Sequence, residues 1–513
     1  MTQAPSAQSV PAFACDPSVR RFGHRGKLLL GGSPIRFFSL TPAGAALMDR
    51  LESRAPFFAS TAESALISRW IDAGVVHPEP DLLAGAWPSE EVTLVVPVRD
   101  RAAGVERLLA SLATAAGTGV AHLVEIIIVD DGSAEPFEVQ IADRRLPSIQ
   151  VIRCEESAGP AQARNLGLGQ VSTALVAFVD SDCSVTPGWL DPLISQLGDP
   201  SVAAAAPRIA AVPGMTAVGS QTALELYESH RSPLDLGVQT GRVSAGTRVS
   251  YVPSAAVLMR TEVVRQAGGF NPALLVGEDV DLIWRLVEQG ARVRYDPRSV
   301  VYHETRSALR TWMQQRVAYG TSAAALDQAH PGKVAPVILS PWSAAVWGLV
   351  AAGHLGLGAT LGLGTTWMLH KKLPEVPISE VLRLGIGGHL GAGAQLARSV
   401  QRVWWPVAVP AAVLSSRARS AVAAAVVVTA LDSLRDQRSE LSELSELSEL
   451  SGTKHPSRAS SLSEALQFVG LGLLDDMSYG AGVWLGCLRE RSLRALLPTI
   501  TRPHTANSDV SGR

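Results

Sequence analysis

Three acidic clusters in the middle of the chain have the residue types and spacing needed to hold a divalent cation and a diphosphate. They are the Asp-Asp-Gly-Ser run 130–133, the Asp-Ser-Asp run 180–182 and the Gly-Glu-Asp run 277–279. The runs that precede the first two clusters, 124–129 and 174–179, are apolar, which is typical of strands buried on both faces of a parallel sheet. Carboxylates at the C-terminal ends of such strands point into the crevice where open α/β sheets bind ligands. The spacing therefore predicts one ligand cleft at one edge of a sheet.

The Asp-x-Asp pair is the most informative of these signals. Of Asp180 and Asp182, one carboxylate is expected to meet a ribose and the other, Asp182, a Mg²⁺ or Mn²⁺ that bridges two phosphates. Such a cation neutralises the charge that grows on a departing diphosphate without any proton transfer. His303 ends a predicted strand and can supply a further metal ligand, although a purely structural role is equally open for a lone histidine.

The nucleotide side of the cleft is expected to be formed by the loops that follow the first strands. A carboxylate of the 130–133 run can accept hydrogen bonds from a base and from ribose hydroxyls, and a simple Asp-Gly turn is the alternative. The Gly-Pro pair at 159–160 opens a helix whose amides can face an anion, with an arginine one to two turns in. An ordinary helix start with a solvated arginine is the alternative. The residues expected on this side are Pro97, Arg99, Asp130, Asp131, Arg164 and Asp180.

The acceptor side of the cleft is expected around Asp279, which is the predicted general base. A carboxylate there can take the proton of a hydroxyl group as its oxygen attacks, and such assistance typically contributes about 10²–10⁴-fold to the rate. Alternatively, the Glu-Asp pair caps a helix, and both roles can coexist. Asp281 and Arg285, one turn apart, are expected to form a structural pair. The other residues expected on this side are Gly269, Phe270, Glu278 and Trp284.

Composition limits the classes of function. With 45 basic and 47 acidic residues among 513, the chain offers no electrostatic case for nucleic acid. Only 18% of the residues are charged and the mean hydropathy is +0.18, which predicts membrane contact. The four cysteines are far apart in sequence, so neither a disulfide framework nor a zinc site is expected. This use of cysteine predicts a protein of the reducing cytoplasm.

Pattern divides the chain into segments. Residues 19–80 read as a hairpin, two helices and a returning strand, which resembles a winged-helix module, more specifically the peptide-recognition elements of peptide-natural-product pathways; a support domain with no partner is the alternative. Residues 92–330 alternate strands and helices, which predicts a doubly wound, Rossmann-like α/β sheet. The remaining segments are a tail at 1–18, a hydrophobic helical region at 334–431, a flexible low-complexity linker at 432–463 with four Glu-Leu-Ser repeats, hydrophobic helices at 464–498 and a disordered tail beyond.

The hydrophobic region starts with 37 residues, 334–370, that include no Asp, Glu, Lys or Arg. A spanning helix needs roughly 20 apolar residues, so one span is expected here, with Lys371 and Lys372 at the cytoplasmic edge. The later apolar runs, 384–397, 403–416 and 420–431, are too short to span and are expected as buried or interfacial helices. We therefore expect the protein to associate with the cytoplasmic face of the cell membrane. The alternative is that this region forms a helical bundle packed on the enzyme.

Residues 92–315 resemble glycosyltransferase family 2. The resemblance rests on the motifs V-P-V-R-D, V-D-D-G-S, G-P-A-Q-A-R-N, D-S-D and G-E-D-V-D-L-I-W-R, in the family order. It implies a GT-A fold and an inverting, metal-dependent transfer from a nucleotide-diphospho-sugar. It also implies Asp131 near the nucleobase, Asp180 and Asp182 at ribose and metal, and Asp279 as base. The Q-x-x-R-W motif of processive members is absent near 314–320, so synthesis of a long polymer is not expected.

The layout of the whole chain resembles the glycosyltransferases of actinobacterial mycofactocin systems. That resemblance implies glucose transfer from UDP-glucose onto a peptide-derived redox cofactor, held by residues 19–80, in short β-1,4-linked oligosaccharides. One alternative of the same chemistry is rhamnose or mannose transfer to a lipid-linked cell-wall acceptor. A remote alternative is a non-catalytic scaffold that holds a peptide for other enzymes.

Overall fold

The computed structural model describes residues 9–10, 13–54, 57–79, 91–116, 122–138, 143–212, 222–451 and 462–501. The chain divides into two compact units, the first comprising Met1–Gly219 with Arg231–Thr305, the second Ser220–His230 with Arg306–Arg513. The first unit includes the small N-terminal module and the α/β core. The second is helical, and its longer segment begins at Arg306. The predicted end of the transferase domain was residue 330.

The N-terminal module has the predicted hairpin, both predicted helices and the returning strand. Its elements are β1 (Ser9–Val10), β2 (Phe13–Cys15), β3 (Arg20–Phe22), β4 (Leu28–Gly31), β5 (Arg36–Ser39), α1 (Pro42–Glu52), β6 (Phe57–Phe58), α2 (Thr61–Asp72) and β7 (Val76–Pro78). Strands β3, β4 and β5 form an antiparallel sheet, β2 pairs with β7, and β1 pairs with β6. The prediction of a loose tail is thus wrong for residues 9–10 and 13–15; the winged-helix identity stays a prediction.

Each helix of the module starts at a residue whose side chain caps it. Thr41 accepts a hydrogen bond from the Gly44 amide at 3.1 Å, with a proline at the first helical position. Ser60 and Glu63 form a reciprocal capping box at the start of α2. These caps fix where the helices begin, so that their apolar faces close over the small sheet.

The α/β core is a nine-stranded mixed sheet covered by helices. Its elements are β8 (Val92–Val98), α3 (Ala102–Ala115), β9 (Leu123–Asp131), β10 (Ser148–Cys154), α4 (Pro160–Gln170), β11 (Leu175–Val179), β12 (Cys183–Val185), α5 (Leu190–Gln196), β13 (Val202–Ala211), then α6 (Ala223–Arg231, nearly all in the second unit), β14 (Gly241–Arg242), β15 (Ala256–Arg260), α7 (Thr261–Gln266), α8 (Glu278–Glu288) and β16 (Arg292–His303). The strand order is β10-β9-β8-β11-β15-β13-β16-β12, with β14 on β16. Strands β10, β9, β8 and β11 are parallel, as predicted.

The buried strands explain the apolar runs in the sequence. All five residues of β11 are buried, and so are six consecutive residues at the end of β9. Both faces of these strands are covered, which is why apolar and polar residues do not alternate along them. Two details differ from expectation. Strand β13 was not predicted, and β16 is one long strand where two short ones, 293–295 and 300–303, were expected.

Partly buried ion pairs attach the N-terminal module to the core sheet. Arg292 of β16 bonds both carboxylate oxygens of Asp72, at 2.7 and 2.9 Å. Asp16 lies 2.9 Å from His77 and accepts two hydrogen bonds from Arg248 at 3.0 Å. Burial lowers the pKa of His77, although its hydrogen bond to Asp16 opposes the shift, so the neutral imidazole is favoured. The module is thus a fixed part of the first unit.

In its described residues, the second unit is helical apart from one short pair of strands. Its elements, besides α6, are α9 (Leu309–Thr321), α10 (Ala323–Ala329), β17 (Ile338–Leu339), α11 (Pro341–Ala351), α12 (Leu355–Lys372), α13 (Ile378–Arg402), α14 (Trp405–Leu414), α15 (Ser416–Ser451), α16 (Leu462–Arg489) and β18 (Thr499–Ile500). Strand β18 pairs in parallel with β17, so the prediction of a disordered tail is wrong for residues 499–500.

Two other expectations for this unit are corrected. The uncharged stretch 334–370 forms two helices, α11 and α12, separated by a break at Gly353 with φ +90°. Among the helices in the described part of the chain, none has the length and apolar character needed to cross a bilayer, so the expected span is wrong. The Glu-Leu-Ser repeats were expected in a flexible linker, yet the backbone of α15 stays helical through Ser451. Residues 452–461 of that linker lie outside the described residues.

Candidate active site

Three neighbouring parallel strands bring the predicted loops to one edge of the sheet. β9, β8 and β11 are adjacent, and Val98 at the end of β8 is in register with Asp130 near the end of β9. Asp180 follows the last residue of β11 directly. Arg99, which is exposed beyond β8, donates to the Ser157 hydroxyl at 2.9 Å, while Pro97 is half-buried within the strand. The loops thus face one cleft.

Asp130 shapes the turn at the end of β9. It is fully buried and accepts hydrogen bonds from the amides of Ser133 at 2.9 Å and Phe137 at 3.3 Å, and from Arg153 at 2.7 Å. Burial acts to raise its pKa, but these hydrogen bonds and the charge of Arg153 lower the pKa below its usual value. These hydrogen bonds hold the loop that follows β9, and contact of Asp130 with the nucleotide stays a prediction.

Asp131 ties the end of β9 to the loop before α4. Its carboxylate accepts from the Ser157 hydroxyl at 2.7 Å and from the amides of Ala158 at 2.8 Å and Gly159 at 3.0 Å. Gly132 has φ +68°, and a Cβ there would lie 2.7 Å from the Ser157 nitrogen, so glycine is required at this close approach. Contact of Asp131 with a nucleobase stays a prediction.

Asp182 and His303 meet where β12 pairs with β16. Cys183 is in register with His303, which places Asp182 Oδ1 3.3 Å from His303 Nε2. The other oxygen, Oδ2, accepts from Arg101 Nη1 at 2.7 Å. Burial acts to raise the pKa of Asp182, but the hydrogen bond to His303 and the charges of His303 and Arg101 lower it to about 2. Asp182 is therefore a carboxylate at neutral pH.

The donor set at this point fits a divalent cation. Asp182 supplies a hard carboxylate oxygen and His303 an imidazole nitrogen, and both side chains are only partly exposed. Within the described residues no group of three or more such ligands is present. Two protein ligands suffice when the substrate's phosphates and water complete the coordination, as is usual for Mg²⁺. A cation bound there would neutralise charge on a diphosphate.

Arg164 connects the end of strand β11 to the start of helix α8, which carries the predicted base. It is buried, and it donates to Asp180 Oδ1 and to Glu278 Oε1, each at 2.7 Å. Its guanidinium also lies over the Phe270 ring, 5.4 Å from the centroid. Arg164 was expected on the nucleotide side of the cleft. Two carboxylates of the protein bind it there, so it positions the site's acidic groups, and its contact with a nucleotide stays a prediction.

Glu278 and Asp279 differ in environment although they are neighbours. Burial and the charge of Asp279 raise the pKa of Glu278 to about 7, against the opposing effect of Arg164. Asp279 is only half-buried, and its oxygens accept from the amides of Ser254 at 3.1 Å and Val280 at 2.8 Å. The more exposed carboxylate, Asp279, is thus the one held rigidly at the start of α8 and open to an incoming hydroxyl group.

Comparison with known proteins identifies the family. The model for glycosyl transferase family 2 matches residues 93–266. The pre-mycofactocin glycosyltransferase of Mycobacterium tuberculosis is 38% identical over 499 residues, which cover 95% of this chain and 97% of that protein. The chain belongs to glycosyltransferase family 2. The predicted transferase activity and the GT-A-type α/β core are confirmed.

More distant relatives match a smaller share of the transferase. The succinoglycan biosynthesis protein ExoU of Rhizobium meliloti is 29% identical over 209 residues, 40% of this chain and 59% of that protein. Among solved structures, S. aureus TarS has 19% identity and a TM-score of 0.33, covering 45% of this chain and 65% of that one. The mannosyltransferase PcManGT from Pyrobaculum calidifontis, solved with GDP-Man and Mn²⁺, has 18% identity and a TM-score of 0.37, covering 70% and 90%.

Two predicted acceptor-binding residues of the transferase are core side chains. Phe270 is fully buried and packs edge-on against Phe178, with ring centroids 5.0 Å apart. Trp284 is 5% exposed and donates its indole N–H to the Ser250 carbonyl at 2.8 Å. Neither side chain presents a ring face to solvent, so the prediction that they bind the acceptor is wrong. Both instead support the loops on either side of Asp279.

The remaining acceptor-side predictions have mixed outcomes. Gly269 has φ +66°, and its carbonyl accepts from Arg285 at 2.7 Å, which fixes the turn beside Arg164. The structural pair of Asp281 and Arg285 is confirmed at 2.8 Å. Arg101 is the residue that sequence reasoning missed. Its position just past the V-P-V-R-D motif was the available signal.

The transferase's own groups support an inverting displacement, which is typical of the family. In its predicted role as general base, Asp279 would accept the proton of an acceptor hydroxyl as the hydroxyl oxygen forms a bond to the anomeric carbon. The bond from that carbon to the diphosphate oxygen breaks on the opposite side, and the configuration inverts. Arg101, held by Asp182, adds a positive charge on the donor side of the cleft. Arg164 binds Asp180 and Glu278 and so fixes the positions of these two carboxylates relative to each other.

Proposed function

We propose that this transferase moves a hexose from a UDP-sugar, UDP-glucose, onto premycofactocin, a small peptide-derived acceptor, and builds short β-1,4-linked oligosaccharides. The observation that carries the proposal is the 38% identity to a pre-mycofactocin glycosyltransferase over 95% of this chain. Similarity limited to the central sheet would support transferase chemistry alone. Here it extends through the regions that flank the sheet, which supports a shared acceptor as well as shared chemistry.

The proposed reaction uses a divalent cation, Mg²⁺ or Mn²⁺, held by Asp182 and His303. Support comes from the distance of 3.3 Å between Asp182 Oδ1 and His303 Nε2, where β12 pairs with β16. The metal must displace any proton from His303, and the hydrogen bond and charge of Asp182 raise the pKa of that imidazole despite burial. Metal binding and activity should therefore weaken together as the pH falls.

The N-terminal module is proposed to hold the acceptor. Its ion pairs to the core, such as Arg292 with Asp72, fix it within the catalytic unit. A peptide-derived molecule bound on the module is then presented at a constant position relative to Asp279. The proposed location is the cytoplasmic face of the cell membrane, supported by the low charge content of 18% and the mean hydropathy of +0.18.

The direct test is transfer by the purified full chain. Radiolabelled UDP-glucose, UDP-galactose and GDP-mannose are each incubated with premycofactocin and Mn²⁺, and products are separated by liquid chromatography. The proposal predicts label from UDP-glucose in a water-soluble product that a β-1,4-specific glucosidase releases. Label in an organic-soluble lipid fraction from membranes would instead support the lipid-linked alternative.

A cellular test separates catalysis from scaffolding. A deletion strain is complemented with the wild-type chain or with Asp182→Ala, and small metabolites are compared by mass spectrometry. Loss of the hexose-bearing forms of the cofactor with Asp182→Ala, at equal protein level, supports a catalytic role. Unchanged hexose-bearing forms would mean that the chain acts as a scaffold for another enzyme.

A further inference from the structure

The surface of helix α12 is apolar where a water-exposed helix is usually polar. Leu355, Leu363 and Trp367 are each more than half exposed, and Met368 beside them is about half exposed. Leu355, Leu363 and Trp367 are separated by eight and four residues and so lie along one stripe of the helix. This stripe has no charged residue for four turns, until Lys371 and Lys372. A helix that faces water normally puts its charged residues on this side and its apolar residues inside. Here the arrangement is reversed.

Part of the interior of the same bundle is polar or made of small residues. His389 of α13 lies 3.1 Å from the Ser343 hydroxyl and 2.8 Å from that of Thr365, and its carbonyl accepts from Trp347 at 2.7 Å. Gly385 lets α13 approach so closely that a Cβ there would clash with Thr366 of α12. Small residues and hydroxyl groups between helices, with Leu and Trp outside, are the pattern of helices packed in lipid.

Helix α14 also exposes apolar side chains. Its ten residues include no charge, and none of them is buried. Val413 and Leu414, at its end, are exposed, as are Val407 and Val409. Single exposed apolar residues are normal, but two uncharged helical stretches that each expose several large apolar side chains mark an interaction face.

Charge indicates what covers this face. Residues 334–431 have seven basic and two acidic residues, whereas the whole chain has a net charge of −2. Lys371 and Lys372 are exposed at the end of the apolar stripe, and Lys371 Nζ lies 5.6 Å from the centroid of the Trp367 ring. A tryptophan beside lysines at the edge of an apolar face is typical of the boundary between acyl chains and headgroups. A second copy of the same face would bring these lysines together unfavourably.

We propose that the exposed faces of α12 and α14 insert into one leaflet of a bilayer, with Lys371 and Lys372 on anionic headgroups. The helices lie in the interface without crossing it, which agrees with their lengths of 18 and 10 residues and the break at Gly353. This inference rests on the membrane location in the proposed function, and it names the surface and the lipid chemistry that produce it.

The test is flotation of the purified full chain with vesicles of phosphatidylcholine alone or of equal parts phosphatidylcholine and phosphatidylglycerol. Wild type should bind the anionic vesicles more strongly, and high salt should reduce the difference. Replacing both lysines, Lys371→Gln with Lys372→Gln, should weaken binding to anionic vesicles roughly thirty-fold and leave binding to neutral vesicles unchanged. Leu363→Ser with Trp367→Ser should weaken binding to both kinds by at least about tenfold.

The control is Val238→Ser, which removes an exposed apolar side chain of the first unit and should bind both vesicles as wild type does. Transfer to a soluble acceptor without vesicles should persist in all variants, so a failure of the proposed reaction is distinguishable from a failure here. Two results would overturn the inference: equal binding of wild type and both double variants, or a lipid-free dimer that Leu363→Ser with Trp367→Ser dissociates. The lysine variant, altered only at exposed positions, remains informative if the apolar variant does not fold.

Discussion

Replacing Arg164 by methionine is the most demanding perturbation of the site. The side chain is 4% exposed and makes two ion pairs of 2.7 Å, to Asp180 and to Glu278. Methionine is of similar length and removes both while keeping contact with the Phe270 ring. Two carboxylates that are close together in the cleft then lose the one cation they share.

The magnitude follows from the burial of these groups. Removing one partner of a buried ion pair generally destabilises a protein by about 3–5 kcal/mol, because an uncompensated charge remains. Glu278, whose pKa is already about 7, can take up a proton and so relieve part of this penalty. The loss should therefore be near 3 kcal/mol at about pH 6 and nearer 5 kcal/mol at about pH 8.

The assay is chemical unfolding of the full chain at both pH values, together with transferase activity. Arg164→Lys is the matched control, since a lysine keeps the charge but can reach only one carboxylate at a time; it should lose about half as much. Adding Glu278→Gln to Arg164→Met should recover about 1–3 kcal/mol, because the orphaned acid is removed. Arg145→Met, at an exposed pair with Asp143, should leave the unfolding midpoint unchanged.

The reasoning is refuted if Arg164→Met loses less than about 1 kcal/mol at both pH values, since a shared buried cation cannot be that dispensable. It is also refuted if lysine and methionine at this position behave alike.

Three further predictions concern the chemistry of the same cleft. Asp279→Asn should lower kcat by about 10²–10⁴-fold with a loss in stability of only about 1 kcal/mol, because the amide keeps one of the two backbone hydrogen bonds; steady-state kinetics and unfolding check this, and a kcat near wild type would exclude the base role. His303→Ala should raise the Mn²⁺ concentration for half-maximal activity by at least roughly tenfold, with activity restored at high metal; an unchanged metal titration would remove His303 from the site. Glu278 has its pKa raised from 4.5 to about 7 on folding, so between these values the folded chain holds more protons and its stability falls as pH rises, by about 3 kcal/mol. Glu278→Gln should abolish that slope in pH-dependent unfolding; an equal slope in the variant would assign it elsewhere.

The parts of the fold that the sequence predicted are those with a local cause. Strand β11, for example, is a short apolar run that ends at an acidic pair. Strand β13 was missed because the four alanines of its first half, Ala203–Ala206, have no intrinsic preference for strands. It is held between β15 and β16, so its conformation comes from tertiary pairing.

The candidate site was predicted in its residue types more than in its contacts. Asp182, His303 and Asp279 lie where strand ends and a helix start place them. Phe270 and Trp284 were misassigned because burial depends on neighbours distant in sequence, and an aromatic side chain in a motif can equally support a loop. The same reason explains why Arg164, expected at a ligand, is bound by two carboxylates of the protein.

The central prediction for this site is that Asp182, His303 and Asp279 act on one donor and one acceptor. The most direct measurement is the anomalous scattering of Mn²⁺ in crystals soaked with UDP-glucose. A peak at ligand distance from both Asp182 and His303, with the sugar's anomeric carbon facing Asp279, is the predicted result. A peak away from these two side chains, or a sugar turned from Asp279, contradicts the assignment of the site.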